Sequence, residues 1–169
     1  VYGGDAAQWR RAARSLKARL FLRTANVDAS ALAAALTNAQ QGILTQADNF
    51  TTYQSTTAGE ENTWFQFRRG RGTDILAGAF LVNLLRTRND PRLTQYFANA
   101  GTTGAVAGAT PGQETSNASW LSATRGGAGF RQPILTADET NLIIAEVQAR
   151  QAATGAALTA LNAVRAQYG

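Results

Sequence analysis

Aromatic side chains in two polar segments are the residues best suited by type to bind a ligand. Trp120 is surrounded by small hydroxyl and amide residues, with Asn117 close before it in the chain. An indole face can stack on a sugar ring through its apolar area and its quadrupole, while polar neighbours bond the hydroxyl groups. Trp64 and Tyr53 lie in the second polar segment. We predict ligand binding by Trp120 first, Trp64 second and Tyr53 third, with Asn117 as a polar contact.

The alternative for Trp120 is a core anchor that pins its loop to the protein, and the sequence leaves both interpretations open. Three loop acids, Glu60, Glu61 and Glu114, could serve as the paired carboxylates of a glycosidase. No sequence feature brings two of them together. The 169 residues include no Cys and no His, which removes thiolate chemistry, the commonest general base and the usual zinc ligands. We therefore predict no catalytic residue, no metal site and no cofactor.

A charged cluster falls within the apolar arc of a predicted helix at residues 137–153. Glu139, Glu146 and Arg150 share that arc, and a charge buried there must be paired because burying it alone is costly. Glu146 and Arg150 have the i, i+4 spacing of a helical ion pair, and Arg165 is a further partner. We predict a buried polar clasp that fixes helix register. A general acid–base pair and solvent exposure remain the alternatives.

Two helix hairpins are predicted, at residues 1–42 and 133–169, and the second one carries the charged cluster. In the first, Asp5 caps a helix at residues 6–25, and Gly42 ends a second helix at 29–41. One apolar face of the 6–25 helix carries Trp9, Ala12, Ala13, Leu16 and Leu20. In the other, Thr136 and Glu139 have capping-box spacing. Thr154-Gly155 separates the 137–153 helix from a helix with one apolar face. That face carries Ala157, Leu161, Val164 and Tyr168.

Three further segments lie between the hairpins. Residues 43–72 are predicted to be an aromatic loop, and residues 98–132 a long loop rich in Gly, Ser, Thr and Ala. Between them, residues 73–97 are predicted to form a helix capped by Thr73, followed by a turn. That helix is apolar on much of its circumference, so we expect it to be the most buried one.

The charge is basic but scattered. The net charge is +5, from 15 arginines, one lysine and 11 acids. One cluster, Arg10, Arg11, Arg14 and Lys17, lies on the first helix, where a solvated face is the default and nucleic-acid binding the alternative. Arg68, Arg69 and Arg71 form a second cluster, interpreted as a solvated turn or as an anion or RNA site. No apolar run is long enough to cross a membrane.

Three blocks of the sequence carry recognisable motifs. The last block contains PILT at Pro133–Thr136, then Glu139, IAEV at Ile144–Val147, Gly155 and Ala157, and LNAVR at Leu161–Arg165. The first contains YGGD at Tyr2–Asp5, then Trp9 and ARSLKARLFLR at Ala13–Arg23. NDPRL at Asn89–Leu93, followed by Tyr96 and Phe97, lies between them. These blocks resemble the SusD/RagB family and occur in the order found in that family. Ala137 stands where an aromatic residue is common in the family. The chain resembles only the middle of a longer family member, so we expect a fragment.

The resemblance implies an all-α fold of TPR-like helix hairpins in a superhelical stack with long irregular loops. It implies a cell-surface, non-enzymatic glycan-binding protein at the outer membrane that captures oligosaccharide for a SusC-type TonB-dependent transporter. Membrane attachment would be through a lipid anchor outside this sequence, and nucleic acid is not an expected partner. Aromatic residues from loops are expected to build the binding platform. The alternative function is a helical-repeat protein-interaction module that binds no sugar.

Overall fold

Helix is the main regular structure in the computed structural model, which describes residues 1–101, 103–112 and 117–167. The elements in chain order are α1 (Ala6–Thr24), α2 (Ala31–Ala39), β1 (Phe50–Thr51), α3 (Thr63–Gly70), α4 (Ala79–Thr87), α5 (Arg92–Tyr96), α6 (Ala123–Gly126), β2 (Pro133–Leu135), α7 (Ala137–Arg150) and α8 (Thr154–Arg165). The prediction of a mainly helical fold is confirmed. None of the helices in these ranges is both long and apolar enough to cross a membrane.

The chain forms two compact units. The helical unit comprises Val1–Thr52 and Pro133–Gly169, and the loop-rich unit comprises Tyr53–Gln132. The first and last predicted segments therefore belong to one unit, although they are far apart in sequence. In that unit β1 and β2 pair antiparallel, with Phe50 opposite Leu135.

Helix α1 begins where the sequence predicts, but of its predicted apolar face only Ala12 is buried. The Asp5 carboxylate accepts hydrogen bonds from the backbone N–H groups of Ala7 and Gln8 at 2.7 and 3.1 Å, which satisfies two donors of the first turn. The buried residues of α1 are small ones, namely Ala12, Ser15 and Ala18.

The predicted apolar face of α1 is largely exposed, which corrects the sequence interpretation. Trp9, Leu16 and Leu20 are all exposed. Trp9 still packs at one edge, because its ring lies 5.4 Å from that of Tyr2 and 5.5 Å from that of Phe50. The neighbouring helices approach the side of α1 that carries the smallest residues, since helix backbones come closest there.

The core of the helical unit lies where α1, α2 and α7 meet. Helix α1 packs against α2, α7 packs against α8, and α2 also packs against α7, so both predicted hairpins are present. Their shared core consists of Ala18, Ala35, Ala39, Ile143, Ile144 and Val147. Small residues on α1 and α2 allow close packing, and the branched residues of α7 fill the remaining space.

Gly42 has a different role from the one predicted. Its φ is not in the left-handed region, so it does not end α2 as a left-handed cap residue. A Cβ at this position would lie 2.5 Å from the hydroxyl oxygen of Ser15. That hydroxyl accepts hydrogen bonds from the Ile43 N–H at 2.8 Å and from the Thr140 hydroxyl at 3.0 Å. Glycine is therefore required by close approach to this buried network.

The C-terminal hairpin breaks slightly earlier than predicted. The Thr136 hydroxyl accepts from the Glu139 N–H at 3.1 Å, so the Thr136 half of the predicted capping box is confirmed, whereas the Glu139 carboxylate contacts Arg19. Helix α7 ends at Arg150, and Ala152 has a φ of 61°, a left-handed conformation that stops a helix of L-residues. Thr154 starts α8 instead of forming the break. On the predicted face of α8, Ala157 and Val164 are buried, Leu161 is exposed, and Tyr168 lies outside the described residues.

The predicted clasp exists as an ion pair, but it is not buried. Glu146 Oε1 and the Arg150 guanidinium are 3.4 Å apart, and the Glu146 side chain is 54% exposed. Arg165 is also exposed and forms no ion pair within the described ranges. The interhelical pair is instead a two-point contact between Arg19 of α1 and Glu139 of α7. Hydrogen bonding to Glu139 raises the pKa of Arg19.

Helix α3 replaces part of the predicted aromatic loop. The Asn62 side chain accepts from the Trp64 N–H at 2.8 Å and donates to the Phe130 carbonyl at 2.9 Å. The first bond caps α3, and the second ties its start to a segment late in the unit. Trp64 and Phe65 are therefore consecutive residues of a helix rather than residues of a loop.

Helix α4 starts later than predicted and is not the most buried helix. The N–H of Ala77 donates to the Ser119 carbonyl at 2.8 Å, and its carbonyl accepts from Ala109 at 2.7 Å. This pairing holds the chain extended there, so Thr73 does not cap the helix. The buried residues of α4 are Val82 and Leu85, whereas more residues are buried in α7.

The turn before α5 is organised by one carboxylate. Asn89 has a φ of 49°, and Asp90 accepts from both the backbone and the guanidinium of Arg92. These hydrogen bonds from Arg92 lower the pKa of Asp90 to about 2. The NDPRL motif is thus a turn closed by an ion pair, with α5 following it.

Candidate functional site

Hydrogen bonds order the segment around Trp120 in the loop-rich unit. The sequence predicts a long loop there, because its residues are mostly small. The N–H of Ala98 donates to the Trp120 carbonyl at 2.9 Å, and the Ser119 N–H donates to the Ala107 carbonyl at 2.7 Å. The Ser119 hydroxyl also accepts from the Ala107 N–H at 2.9 Å. Backbone pairing on both sides therefore fixes the position of the Trp120 side chain.

Trp120 lies at the buried centre of this framework. Only 4% of the residue is exposed, and its indole N–H has no hydrogen-bond acceptor among the described residues. A Cβ on Gly126 would lie 2.9 Å from that nitrogen, so glycine is required for close approach. The Arg68 guanidinium lies 5.2 Å from the ring centroid, a cation–π distance.

The burial of Trp120 agrees with the core-anchor interpretation. An indole this deeply buried presents no open face on which a sugar could stack. Backbone pairing on both sides holds the ring inward. Ligand binding by Trp120 stays a prediction, and it concerns the indole surface that lines the cavity described next.

Trp64 stands at the open side of an apolar cavity, here called the tryptophan cavity. Its volume is about 280 Å³. The lining residues are Trp64, Ile75, Leu76, Ala77, Phe97, Trp120 and Leu121. Trp64 is 45% exposed, so one part of the indole packs and the remainder faces solvent. Trp120 and Trp64, the first two predicted ligand-binding residues, therefore line the same cavity. Trp120 is buried in its wall, and Trp64 is half-exposed at its rim.

The other two predicted ligand-binding residues do not line this cavity. Tyr53 is 58% exposed, and the Arg131 guanidinium lies 5.2 Å from its ring centroid. Asn117 is exposed at a turn. Both side chains are accessible in the loop-rich unit, and their participation in binding stays a prediction.

A second cavity, here called the arginine cavity, lies along the adjacent side of α3. Its volume is about 540 Å³, and Leu121 lines both cavities. The other lining residues are Phe65, Arg68, Arg69, Ala98, Ser122, Ala123, Gly126 and Gly127. Phe65, Leu121 and the small residues give it an apolar surface, whereas the two guanidinium groups supply positive charge.

Carboxylates are absent from the linings of both cavities, as far as the described residues show. Glu60 accepts from the Ser55 hydroxyl at 2.6 Å, and buried Glu61 contacts Arg69 at 3.0 Å. Glu114 lies outside the described residues. Within the described part of the chain, no group of three or more His, Cys, Asp or Glu residues could hold a metal ion. The arrangement can therefore bind a ligand through stacking and positive charge.

Comparison with known proteins identifies the family. A family profile described as "Starch-binding associating with outer membrane", SusD-like, matches residues 1–167. The chain belongs to the SusD-like family. The resemblance seen in the three sequence blocks is thereby confirmed. SusD-like proteins are a family of binding proteins rather than enzymes, and the family description associates them with the outer membrane.

Solved SusD-like structures share the fold. A chitin-binding protein matches with a TM-score of 0.76 and 20% identity, over 96% of this chain and 40% of that one. A SusD homolog from Bacteroides uniformis matches with a TM-score of 0.70 and 28% identity, over 88% of this chain and 33% of that one. A chitin-binding SusD homolog from Flavobacterium johnsoniae matches with a TM-score of 0.71 and 21% identity, over 89% of this chain and 32% of that one.

The SusD-like chain thus spans 40% or less of the length of these three solved chains. No curated protein sequence matches it.

The apolar residues that line both cavities were not predicted from the sequence. Phe65, Leu121 and Phe97 were not singled out as site residues, although each lines a cavity. Asn62 offered a signal, because it precedes Thr63 and Trp64 as a cap residue precedes a helix. A helix starting there places Trp64 and Arg68 on one side by their i, i+4 spacing.

Proposed function

We propose that this SusD-like chain is part of a cell-surface protein that binds a glycan at α3 of the loop-rich unit. The observation that carries the proposal is the half-exposed indole of Trp64 at the rim of the tryptophan cavity. The family description and the chitin-binding neighbours supply the ligand class. A carbohydrate is thus the ligand that suits both the exposed ring and the family.

Binding would use the apolar face of a sugar ring against Trp64. The ring C–H groups meet the negative face of the indole, and the contact removes apolar area from water. The adjoining cavity would receive a ring substituent, because Ile75, Leu76 and Phe97 offer apolar walls. Stacking alone breaks no bond, so the bound glycan would leave unchanged.

Delivery of the captured oligosaccharide to a SusC-type TonB-dependent transporter completes the proposal. The association of the family with the outer membrane supports this role. Surface exposure and attachment through a lipid anchor belong to the same proposal. Expression of the whole protein with its neighbouring transporter would test the partnership. Joint purification in mild detergent is expected, and separate elution of the two proteins would count against it.

Affinity electrophoresis of the chain in gels that contain starch, chitin derivatives or other polysaccharides tests glycan binding. The wild type is expected to be retarded by at least one of them. Trp64→Ala should abolish the retardation, because a stacked base or ring contributes about 1–3 kcal/mol per aromatic residue and sugar affinities are weak. The melting curve should remain cooperative, since Trp64 is not a core residue.

Trp9→Ala is the matched control. Trp9 is 47% exposed, close to the 45% of Trp64, but it lies in the helical unit. Retardation should persist in this variant. Equal loss in both variants, or retention by Trp64→Ala, would contradict a site at α3.

A protein-interaction module remains the second candidate function, favoured by one observation. Trp9, Leu16 and Leu20 leave an exposed apolar strip along α1, and such strips mark interaction surfaces. A protein-interaction module binds no sugar, so the chain would then migrate unretarded in every glycan gel. Its Leu16→Gln and Leu20→Gln variants would lose a protein partner while folding normally.

A further inference from the structure

We infer that the glycan bound at α3 carries anionic groups and that Arg68 binds one of them. This inference rests on the proposed function and adds the substrate class. Arg68 lines the arginine cavity beside the tryptophan cavity, so it is placed to contact a sugar held at Trp64.

Arg68 is distinguished from its two basic neighbours by its charge balance. Arg69 contacts the buried carboxylate of Glu61 at 3.0 Å, and Arg71 contacts Asp74 at 2.5 Å. Arg68 forms no ion pair with any carboxylate that the structure describes. Its positive charge is therefore available to a ligand, whereas those of its neighbours are largely offset.

The Arg68 guanidinium is also held in place. It lies over the buried Trp120 ring, 5.2 Å from the centroid, which is within cation–π distance. The planar N–H edge of a guanidinium matches a carboxylate or sulfate group with two parallel hydrogen bonds. Because the cation–π contact restricts the side chain, less rotamer entropy is lost when an anion binds.

The helical spacing on α3 places the charged side chain of Arg68 near the proposed stacking side chain of Trp64. Trp64 and Arg68 are one helical turn apart, so their backbones are separated by about 6 Å along the axis. Leu121 lines both adjacent cavities. A sugar ring on Trp64 would thus direct a charged substituent, or the next sugar of the chain, towards Arg68.

Besides Arg71, which is paired with Asp74, two other guanidinium groups of the loop-rich unit lie over aromatic rings. Arg125 lies 4.5 Å from the Tyr96 centroid, and Arg131 lies 5.2 Å from the Tyr53 centroid. Neither forms an ion pair with an acid in the described ranges. A neutral polysaccharide would make no use of these charges, whereas an acidic one is attracted to a surface that carries them.

Affinity gels with matched polymers test the inference. The carboxylate arm uses polygalacturonate and alginate, each beside its carboxyl-reduced form. The sulfate arm uses carrageenan beside its desulfated form. At physiological salt, wild type should bind one acidic polymer at least about tenfold more tightly than the neutral derivative, because charge-assisted bidentate hydrogen bonds are lost with the anion.

Three arginine variants identify the group responsible. Arg68→Gln should reduce the preference for the acidic polymer to near one, and Arg68→Lys should keep only part of it, because a lysine cannot form the planar double contact. Arg165→Gln removes the same charge from an exposed side chain of the helical unit and should leave the preference unchanged. Melting curves should show all three variants folded.

Several outcomes would overturn the inference. Equal retardation by acidic and neutral partners does so, as does an equal loss in Arg68→Gln and Arg165→Gln, which indicates unspecific attraction by net charge. Retardation by starch or a chitin derivative alone overturns the acidic ligand and leaves the proposed glycan binding intact. Retardation by no polymer at all overturns both.

Discussion

Trp120 provides the sharpest test of how the loop-rich unit is held together. Removal of a buried tryptophan side chain exposes or vacates about 150–250 Å² of apolar contact, which at about 25 cal/mol per Å² corresponds to about 4–6 kcal/mol as an upper bound. The indole N–H finds no acceptor among the described residues, which reduces the contribution of Trp120 to native stability. We therefore expect Trp120→Ala to lower the free energy of unfolding by about 3–5 kcal/mol.

Urea denaturation followed by far-ultraviolet circular dichroism measures this loss. Trp64→Ala is the matched control, because the same side chain is 45% exposed there against 4% at Trp120, and it should cost about 1–2 kcal/mol. Trp120→Phe should cost less than Trp120→Ala, since it keeps most of the ring and removes the unpaired donor.

A small loss of stability in Trp120→Ala would contradict this prediction. If Trp120→Ala lost under about 1 kcal/mol with an unchanged denaturant slope, the indole would not be a core anchor. The backbone framework around it would then be held by its hydrogen bonds alone.

Two further predictions concern charged groups. Glu139→Gln should destabilise the chain by about 1–2 kcal/mol, because it breaks the two-point contact with Arg19 between helices, whereas exposed Glu146→Gln should cost under about 0.5 kcal/mol. Equal melting temperatures for these two variants would be inconsistent with an Arg19–Glu139 clasp. The pKa of Asp90 is lowered to about 2 from 3.8, so its contribution is present above about pH 4 and is lost as the pH falls towards 2. Asp90→Asn should therefore show a smaller drop in melting temperature over that range, and parallel pH curves would contradict the Asp90–Arg92 assignment.

Local signals predicted the helical unit well. Asp5 and Thr136 cap α1 and α7 as expected because a cap needs only residues within one turn. No partner was predicted for Glu139, and in the structure it pairs with Arg19, 120 positions away. Packing between distant segments of the chain determines such ion-pair partners. Helical spacing within one segment does not predict that packing.

The loop-rich unit was harder to predict because long-range pairing fixes its elements. Asn62 caps α3 while also bonding Phe130, which lies 68 positions later. The start of α4 depends on pairing of Ala77 with Ser119 and Ala109. The same framework buries Trp120, which the sequence ranked first for ligand binding, and leaves Trp64, which it ranked second, exposed. Residue type pointed to the aromatics, and tertiary pairing decided which one faces solvent.

Glycan binding through Trp64 on α3 can be observed in a crystal structure of the chain soaked with the oligosaccharide that best retards it in gels. We expect a sugar ring stacked on the exposed face of Trp64, with its neighbour or substituent at the tryptophan cavity. A sugar seated on the α1 strip around Trp9, or on any surface away from α3, would contradict it.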